Sequence, residues 1–325
     1  MKNNSIPDPM NEAEQPPQKP SYWRWILTIA AIGLFIYQLS KQDFHETMNI
    51  IQGMPLWMIF ASIGLMLASR ISTAARWNAL LKINAPKPKF KDTLKTTFAG
   101  LFSSNVLPTS IGGDFVRLFM GIQAKLDPAY VASSLIMDRI IGFTGMFFFM
   151  PFGLHLLFSH ASTSQASLLP MCFLFAATFS DIFKKIWEWI KKFIQKVWNS
   201  VKLWGKHPAY LIESLGFTFL HMFFFFSTMW LFLHAMHVEI SIFKVGAIYS
   251  LSYVISLFPL SIGGLGIQEL AISNLFSILG PMPIEIANAL ALLIRLAYII
   301  SSIPGAFFLP DIGKKSQQPQ DKEIQ

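Results

Sequence analysis

The sequence predicts an all-α integral membrane protein with about six full transmembrane helices and two inverted re-entrant helical hairpins. Apolar residues make up 53% of the 325-residue chain, charged residues only 14%, and the mean hydropathy is +0.47. A soluble domain carries roughly 25% charged residues. Several apolar runs reach the roughly 20 residues that span a bilayer. These values indicate a polytopic membrane protein.

A helix-breaking hexapeptide, P-x-S-I-G-G, occurs twice and is the second observation behind this fold class. It lies in "NVLPTSIGGDFVRL" (Asn105–Leu118) and again in "SLFPLSIGGLGIQEL" (Ser256–Leu270). Proline interrupts a helix, and paired glycines permit tight backbone geometry. The repeat therefore predicts two interrupted apolar segments.

The distribution of the formal charge of +8 is the third observation. Most lysines lie in two stretches between apolar runs, residues 82–95 and 184–206. Loops rich in Lys and Arg stay on the cytoplasmic side. Residues 40–49 and 159–167 carry few basic side chains and are predicted to lie outside. The charge thus indicates membrane topology, and we expect no nucleic-acid partner.

Six full spans follow from apolar length and loop charge, with both termini in the cytoplasm. We expect residues 22–310 to form one membrane domain. The polar tails at 1–21 and 311–325 are predicted to be disordered because their composition cannot bury a core. The spans are Trp23–Leu39, Leu56–Ala75, Arg139–Phe158, Leu168–Phe183, Leu215–His234 and Ile286–Leu309.

Because of the spans on either side of it, each segment that contains the hexapeptide must enter and leave the membrane on the same face. Phe98–Gln123 would start and end inside, and Val245–Leu279 would start and end outside. Paired interrupted segments of inverted topology indicate a transport site near the midplane of the bilayer. The alternative is that Pro and Gly-Gly only permit a kink or close helix packing.

The second half-helix of each segment, beginning near Asp114 or Leu265, would present free N–H groups and a positive dipole end. Such an end binds anions, and phosphate is the expected guest. Neighbouring side chains could add donors. The expected headgroup site contains Asn105, Pro108, Ser110, Gly112, Gly113, Asp114, Pro259, Ser261, Gly263, Gly264 and Gly266.

Several ionisable residues lie in or beside apolar segments, where they are costly and usually functional. We expect Arg117, Arg139, Arg295 and Glu269 to line the site, because arginine binds phosphate in a bidentate manner. Simpler interpretations stay open. Asp114 could merely pair with Arg117, Asp138 and Arg139 could mark the membrane edge, Arg70 could snorkel, and His221 could be a packed, hydrogen-bonded residue.

Residues 181–206 alternate apolar and basic positions at helical spacing. A basic, Trp-rich amphipathic helix lies in the membrane interface and favours anionic lipid. A second interpretation, compatible with the first, is that it fixes topology and anchors the domain. The lysines expected to contact lipid are Lys184, Lys185, Lys191, Lys192 and Lys196.

Catalytic and cofactor motifs are missing from the sequence pattern. We find no Walker loop, nucleophile elbow or HExxH motif. The single cysteine, Cys172, excludes a disulfide framework and a cysteine-based metal site. We expect no catalytic residues, no metal and no cofactor, and hence no enzyme activity.

The stretches "GLFSSNVLPTSIGGDFVRL", "MDRIIGF", "FPLSIGGLGIQEL" and "IRLAYIISSIPG" resemble the membrane domain of lysylphosphatidylglycerol synthases. The resemblance extends over about Trp23–Leu309 and implies a flippase-like domain that moves a phospholipid between leaflets. The soluble aminoacyl-transfer domain has no counterpart here, so lipid synthesis is not expected. The family's motif residues correspond to Asn105, Pro108, Gly112, Gly113, Asp114, Arg117, Arg139, Pro259, Gly263, Gly264, Gly266 and Glu269.

Together these observations predict a protein of a prokaryotic cytoplasmic (inner) membrane. It would translocate or bind a phospholipid or polyprenyl-phosphate lipid, with the headgroup in a central polar cavity. Two alternatives remain, a lipid-linked glycosyltransferase and a small-anion transporter. A homo-oligomer or a separate lipid-modifying enzyme is the expected protein partner.

Overall fold

The computed structural model describes residues 44–83, 88–106, 112–163, 204–257 and 265–309, together with the isolated positions 29, 33, 36 and 37. Regular structure in these residues is entirely helical. The helices are α1 (Phe44–Gln52), α2 (Leu56–Leu81), α3 (Phe90–Val106), α4 (Gly112–Gln123), α5 (Pro128–Thr163), α6 (Pro208–Ala235), α7 (Ile242–Leu257), α8 (Ile267–Leu279), α9 (Ile284–Ser302) and a following 3-10 helix (Ile303–Phe308).

Four of the described helices are long and apolar enough to cross a membrane: α2, α5, α6, and α9 with its 3-10 extension. The 26 residues of α2 and the 28 of α6 extend about 39 and 42 Å, more than the roughly 30 Å of a hydrocarbon core. The all-α membrane class is therefore confirmed. The predicted spans Trp23–Leu39 and Leu168–Phe183 lie largely or wholly outside the described residues.

Several helix boundaries differ from the sequence prediction, and α6, for example, begins at Pro208 instead of Leu215. Helix α2 continues beyond Ala75 to Leu81, and α5 begins at Pro128 instead of Arg139. The added turns are held by a second apolar core, in which Trp77 and Leu81 are buried with Tyr130 and other residues of α5. Charged side chains in these turns are paired within the bundle, so they do not end the helices.

Residues 44–52 form the short helix α1, which overlaps the stretch 40–49 that was predicted to lie outside the membrane. This helix packs against α9, and Ile50 and Ile51 contact the main apolar core. The sequence analysis placed residues 40–49 outside the membrane, and the side on which α1 lies stays a prediction.

Helices α2 and α6 form the antiparallel centre of the bundle. Ser69 of α2 bonds His221 of α6 at 2.7 Å, and the Ser214 hydroxyl donates to the backbone oxygen of Arg76 at 3.2 Å. Small residues at membrane helix interfaces let backbones approach closely. His221 is thus a packed, hydrogen-bonded side chain, as one interpretation predicted.

Each interrupted segment forms a pair of short helices, α3 with α4 and α7 with α8. Their 17, 12, 16 and 13 residues extend only about 18–26 Å, too short to span the hydrocarbon core. In the first pair, Gly100 and Gly113 bring the two backbones into contact. In the second, the Ser252 hydroxyl lies 3.4 Å from the backbone oxygen of Ala271. Both pairs are therefore helical hairpins.

The two hairpins pack along α9 and its 3-10 extension, each starting from a different end. In the first hairpin, Lys95 lies over Phe308 and Asn105 bonds Ser302. In the second, α8 runs antiparallel to α9 after the turn at residues 280–283, and Glu269 meets Arg295. The hairpins therefore approach each other along one helix.

Contacts with helix α5 independently show that the two hairpins approach from opposite ends. In the first hairpin, Gly121 contacts Val131 of α5, and Asp114 pairs with Arg139 of α5. Helix α4 therefore runs alongside α5 from Val131 to Arg139. The second hairpin contacts α5 from the other end, where Gly153 lies against Leu251. The inverted arrangement therefore holds among the described helices. The end that faces the cytoplasm stays a prediction, and the turns at 107–111 and 258–264 lie outside the described residues.

Candidate functional site

Asp138 lies at the centre of a buried ion-pair chain. Its Oδ1 accepts from Arg76 Nε at 2.7 Å, and its Oδ2 accepts from Arg117 Nη2 at 3.0 Å. The aspartate is only 2% exposed. One carboxylate thus joins α2, α4 and α5 through charge-assisted hydrogen bonds, which are roughly twice as strong as neutral ones.

One cation–π contact and one glycine position this chain of ion pairs. The Arg117 guanidinium lies 4.2 Å from the centre of the Trp77 ring, a cation–π contact. Gly142 leaves room for Arg76, because a Cβ there would lie 2.9 Å from Arg76 Nη1. Arg117 Nε is buried without a hydrogen-bond partner in the described structure.

Asp114 extends the chain of ion pairs towards a more open part of the bundle. It accepts from Arg139 Nε at 2.7 Å and also from Arg139 Nη2, and it lies 3.5 Å from Arg117 Nη1. The Arg139 side chain is 45% exposed. We call these five residues, Arg76, Arg117, Asp138, Asp114 and Arg139, the Asp138 network.

The Asp138 network goes beyond the simple pairing of Asp114 with Arg117. Asp114 and Arg117 do touch, but each has a shorter contact with a residue of α5. Asp138 and Arg139 lie within α5 and both are ion-paired, and the interpretation that they mark the membrane edge stays a prediction. The predicted site residues on α4 and α5 are therefore brought together, though in contact with carboxylates.

A second buried pair joins the second hairpin to α9. Arg295 Nε contacts Glu269 Oε1, and Glu269 Oε2 accepts the N–H of Gly266 at 2.8 Å. Gly266 has a φ of 79°, a conformation that favours glycine. Arg295 Nη2 is buried without a partner among the described groups.

Both half-helices carry their own carboxylate in the first turn. Asp114 lies at the start of α4, and Glu269 caps the start of α8. A carboxylate there is stabilised by the positive end of the helix dipole. Within the described structure, the two helix starts are thus already compensated in part.

Arg70 differs from the other arginines. It is 8% exposed, and its Nε donates to the Ser301 hydroxyl at 3.4 Å. Its guanidinium lies 4.3 Å from the centre of the Tyr298 ring. The snorkelling interpretation was wrong, because the side chain is buried against α9.

The remaining predicted residues divide into two groups. Asn105 donates from its amide to Ser302 Oγ at 2.8 Å, and Gly112 and Gly113 are buried in the first hairpin. The others lie outside the described residues: Pro108, Ser110, Pro259, Ser261, Gly263, Gly264, Lys184, Lys185, Lys191, Lys192 and Lys196.

Sequence reasoning missed Arg76 and underrated Asp138. Arg76 follows Ala75, where the predicted span ended, so it was not counted among the charges of the apolar segments. The available signal was a second arginine six positions after Arg70 in "SRISTAARW". The partner of Arg76 is 62 residues away on α5, and no local pattern reveals such a pairing.

Neither an open surface depression nor the metal-ligating side chains of the described residues form a second charged site. An open depression of about 360 Å³ lies at the connection between α6 and α7, away from the Asp138 network; it is lined by Trp230, His234, Val238, Glu239, Ile240 and Ser241. In the described ranges, no three His, Cys, Asp or Glu residues come together to hold a metal ion.

The four spanning helices, the two opposed hairpins and the buried arginines define a multi-pass helical membrane protein with a polar interior. The family model for the lysylphosphatidylglycerol synthase TM region matches residues 25–305. The chain belongs to this family, as the sequence motifs predicted. A UPF0104 membrane protein of Methanocaldococcus jannaschii is 23% identical over 312 residues, covering 86% of this chain and 92% of the relative.

Proposed function

We propose that this protein binds a phosphate-bearing membrane lipid by its headgroup between the two hairpins and moves it between leaflets. The observation that carries the proposal is the excess of positive charge beside the two hairpins. Within the described bundle, five arginines (Arg70, Arg76, Arg117, Arg139 and Arg295) lie with only three carboxylates (Asp114, Asp138 and Glu269), and of these arginines Arg139 alone is exposed.

Phosphate is the guest that this charge favours. Ionisable groups within a membrane are costly to bury and commonly belong to a transport pathway. Arginine offers a planar set of N–H donors that matches phosphate oxygens. The family description names a synthase of a phospholipid, which supports a lipid substrate over a soluble anion.

The ion pairs suggest how the headgroup enters. The Asp114–Arg139 pair is the more open part of the Asp138 network, since Arg139 is 45% exposed. A lipid phosphate that reaches Arg139 replaces Asp114 as its counter-ion. Charge compensation is thereby kept while the headgroup leaves the interface and the acyl chains stay in the bilayer.

The proposed function also specifies the lipid, the membrane and the partner of this protein. The lipid is a phospholipid or a polyprenyl-phosphate lipid, and the membrane is a prokaryotic cytoplasmic membrane with both termini in the cytoplasm. The protein acts without catalysis of its own. A second copy of the chain or a separate lipid-modifying enzyme is its partner.

Retained lipid provides the test. The protein is purified in a mild detergent and analysed by native mass spectrometry, and the bound lipids are then released and identified. We expect phosphate-bearing lipids to be retained in preference to neutral ones of equal chain length. A purified protein that retains neither class preferentially, or that transfers a sugar from a lipid-linked donor, would contradict the proposal.

A further inference from the structure

Arg70 is the arginine of the described bundle that has no carboxylate beside it. Arg76 and Arg117 share Asp138, Arg139 pairs with Asp114, and Arg295 pairs with Glu269. Accepting the proposed function, we infer that Arg70 is the residue that binds the phosphate of the lipid when the headgroup lies between the hairpins.

Burial makes this missing counter-ion significant. Arg70 is 8% exposed in the middle part of α2, a helix long and apolar enough to span the membrane. A buried charge needs a partner or several hydrogen bonds to offset the loss of hydration. The Tyr298 ring and the Ser301 hydroxyl at 3.4 Å offset only part of that loss.

The hydrogen-bonding capacity of Arg70 is largely unused. A guanidinium has five N–H donors. The structure gives it one hydrogen bond, from Nε to Ser301, so that the two Nη groups have no partner among the described residues. The sequences 107–111 and 258–264, which lie outside the described residues, contain no Asp or Glu.

Neutral polar groups from both hairpins reach the same part of α9. Next to Ser301, Ser302 accepts a hydrogen bond from Asn105 of α3 at 2.8 Å. The Tyr298 hydroxyl lies 3.3 Å from that of Tyr249, which in turn accepts from Gln268 of α8 at 3.3 Å. Arg70 therefore lies where the inner ends of the two hairpins meet.

This environment matches a single negative charge. A phosphodiester carries one negative charge, and a guanidinium with no carboxylate beside it among the described residues neutralises that charge without a second cation. The hydroxyl and amide groups around Arg70 can donate further hydrogen bonds to phosphate oxygens. Arg117, Arg139 and Arg295, by contrast, must first lose a carboxylate partner before they bind phosphate fully.

Thermal unfolding of Arg70→Met and Arg117→Met separates a binding role from a structural one. Methionine is apolar and of similar length, and replacing an unpaired buried charge with it removes the desolvation cost. We expect the lipid-free Tm of Arg70→Met to equal or exceed that of wild type. The matched Arg117→Met variant should unfold at a lower Tm, because Asp138 loses one of its two partners.

The same samples are then titrated with dihexanoyl phosphatidylglycerol and, separately, with inorganic phosphate. We expect the lipid to raise the Tm of wild type, and the apparent affinity of Arg70→Met to be at least about tenfold weaker. Equal binding by Arg70→Met and wild type, or a drop or loss of folding in Arg70→Met like that of Arg117→Met, would overturn the inference and leave the proposed function standing.

Two further outcomes concern the source of the phosphate. If inorganic phosphate binds wild type as tightly as the lipid does, the site serves a free anion and the lipid assignment is wrong. If wild type binds neither probe, the proposed function itself fails, whatever the variants do.

Discussion

At the scale of single residues, Asp138 is the carboxylate on which most buried charge depends. It is almost fully buried and serves two arginines from two other helices. Removing one member of a buried, hydrogen-bonded ion pair leaves its partner uncompensated, which usually costs about 3–5 kcal/mol. Residue spacing could not predict this role, because the partners of Asp138 come from positions 62 and 21 residues away.

We therefore expect Asp138→Asn to lower the free energy of unfolding by about 3–5 kcal/mol. The matched control is Glu213→Gln, which breaks a partly exposed pair with Lys82. Such a pair contributes about 0–1 kcal/mol. Thermal unfolding in detergent measures both variants, and similar Tm values for the two would contradict the central place given to Asp138.

At the scale of elements, close backbone contact defines the first hairpin. A Cβ on Gly113 would lie 2.5 Å from the backbone oxygen of Gly100 and closer still to the Ser104 hydroxyl. The glycine is thus required for the approach of α4 to α3, in addition to any freedom it gives the preceding turn.

Gly113→Ala should therefore separate these two helices and destabilise the protein by about 1–3 kcal/mol, the usual cost of overpacking. Gly216→Ala on the exposed face of α6 is the control, since a Cβ there meets nothing within 4 Å. We expect the control to unfold like wild type. Equal Tm values for Gly113→Ala and Gly216→Ala would show that the contact is not tight.

Local sequence was sufficient to predict the hairpins and insufficient to predict their side-chain partners. Proline and Gly-Gly in an apolar run identify a helix break wherever they occur, and apolar length identifies the long spans. The pairing of Arg117 with Asp138, or of Arg295 with Glu269, depends on how helices are rotated in the bundle. That rotation results from packing over the whole chain, so the sequence predicted these arginines as free anion ligands.

At the scale of the whole molecule, the described helices have two distinct ends. Lys125 lies in the exposed connection between α4 and α5, and Glu239 lies in the exposed connection between α6 and α7. Leu126 packs with Leu81 at the end of α2, whereas Glu239 follows α6 near the opposite end. The positive-inside rule assigns the first end to the cytoplasm.

Cysteine labelling in intact cells and in inverted vesicles tests this orientation, after Cys172 is replaced by serine. We expect Lys125→Cys to react with a membrane-impermeant reagent only in inverted vesicles, and Glu239→Cys only in intact cells. Reaction of both from the same side would remove the basis for two hairpins that enter from opposite faces.

The central claim is that the two opposed hairpins move a phosphate-bearing lipid across the membrane. It is tested most directly in vesicles that contain the purified protein and a trace of headgroup-labelled phosphatidylglycerol, with a reductant added outside to destroy the label in the outer leaflet. We expect vesicles with wild-type protein to lose nearly all label, and vesicles without protein, or with Arg70→Met, to lose only about half. Loss of about half the label in wild-type vesicles would contradict the claim.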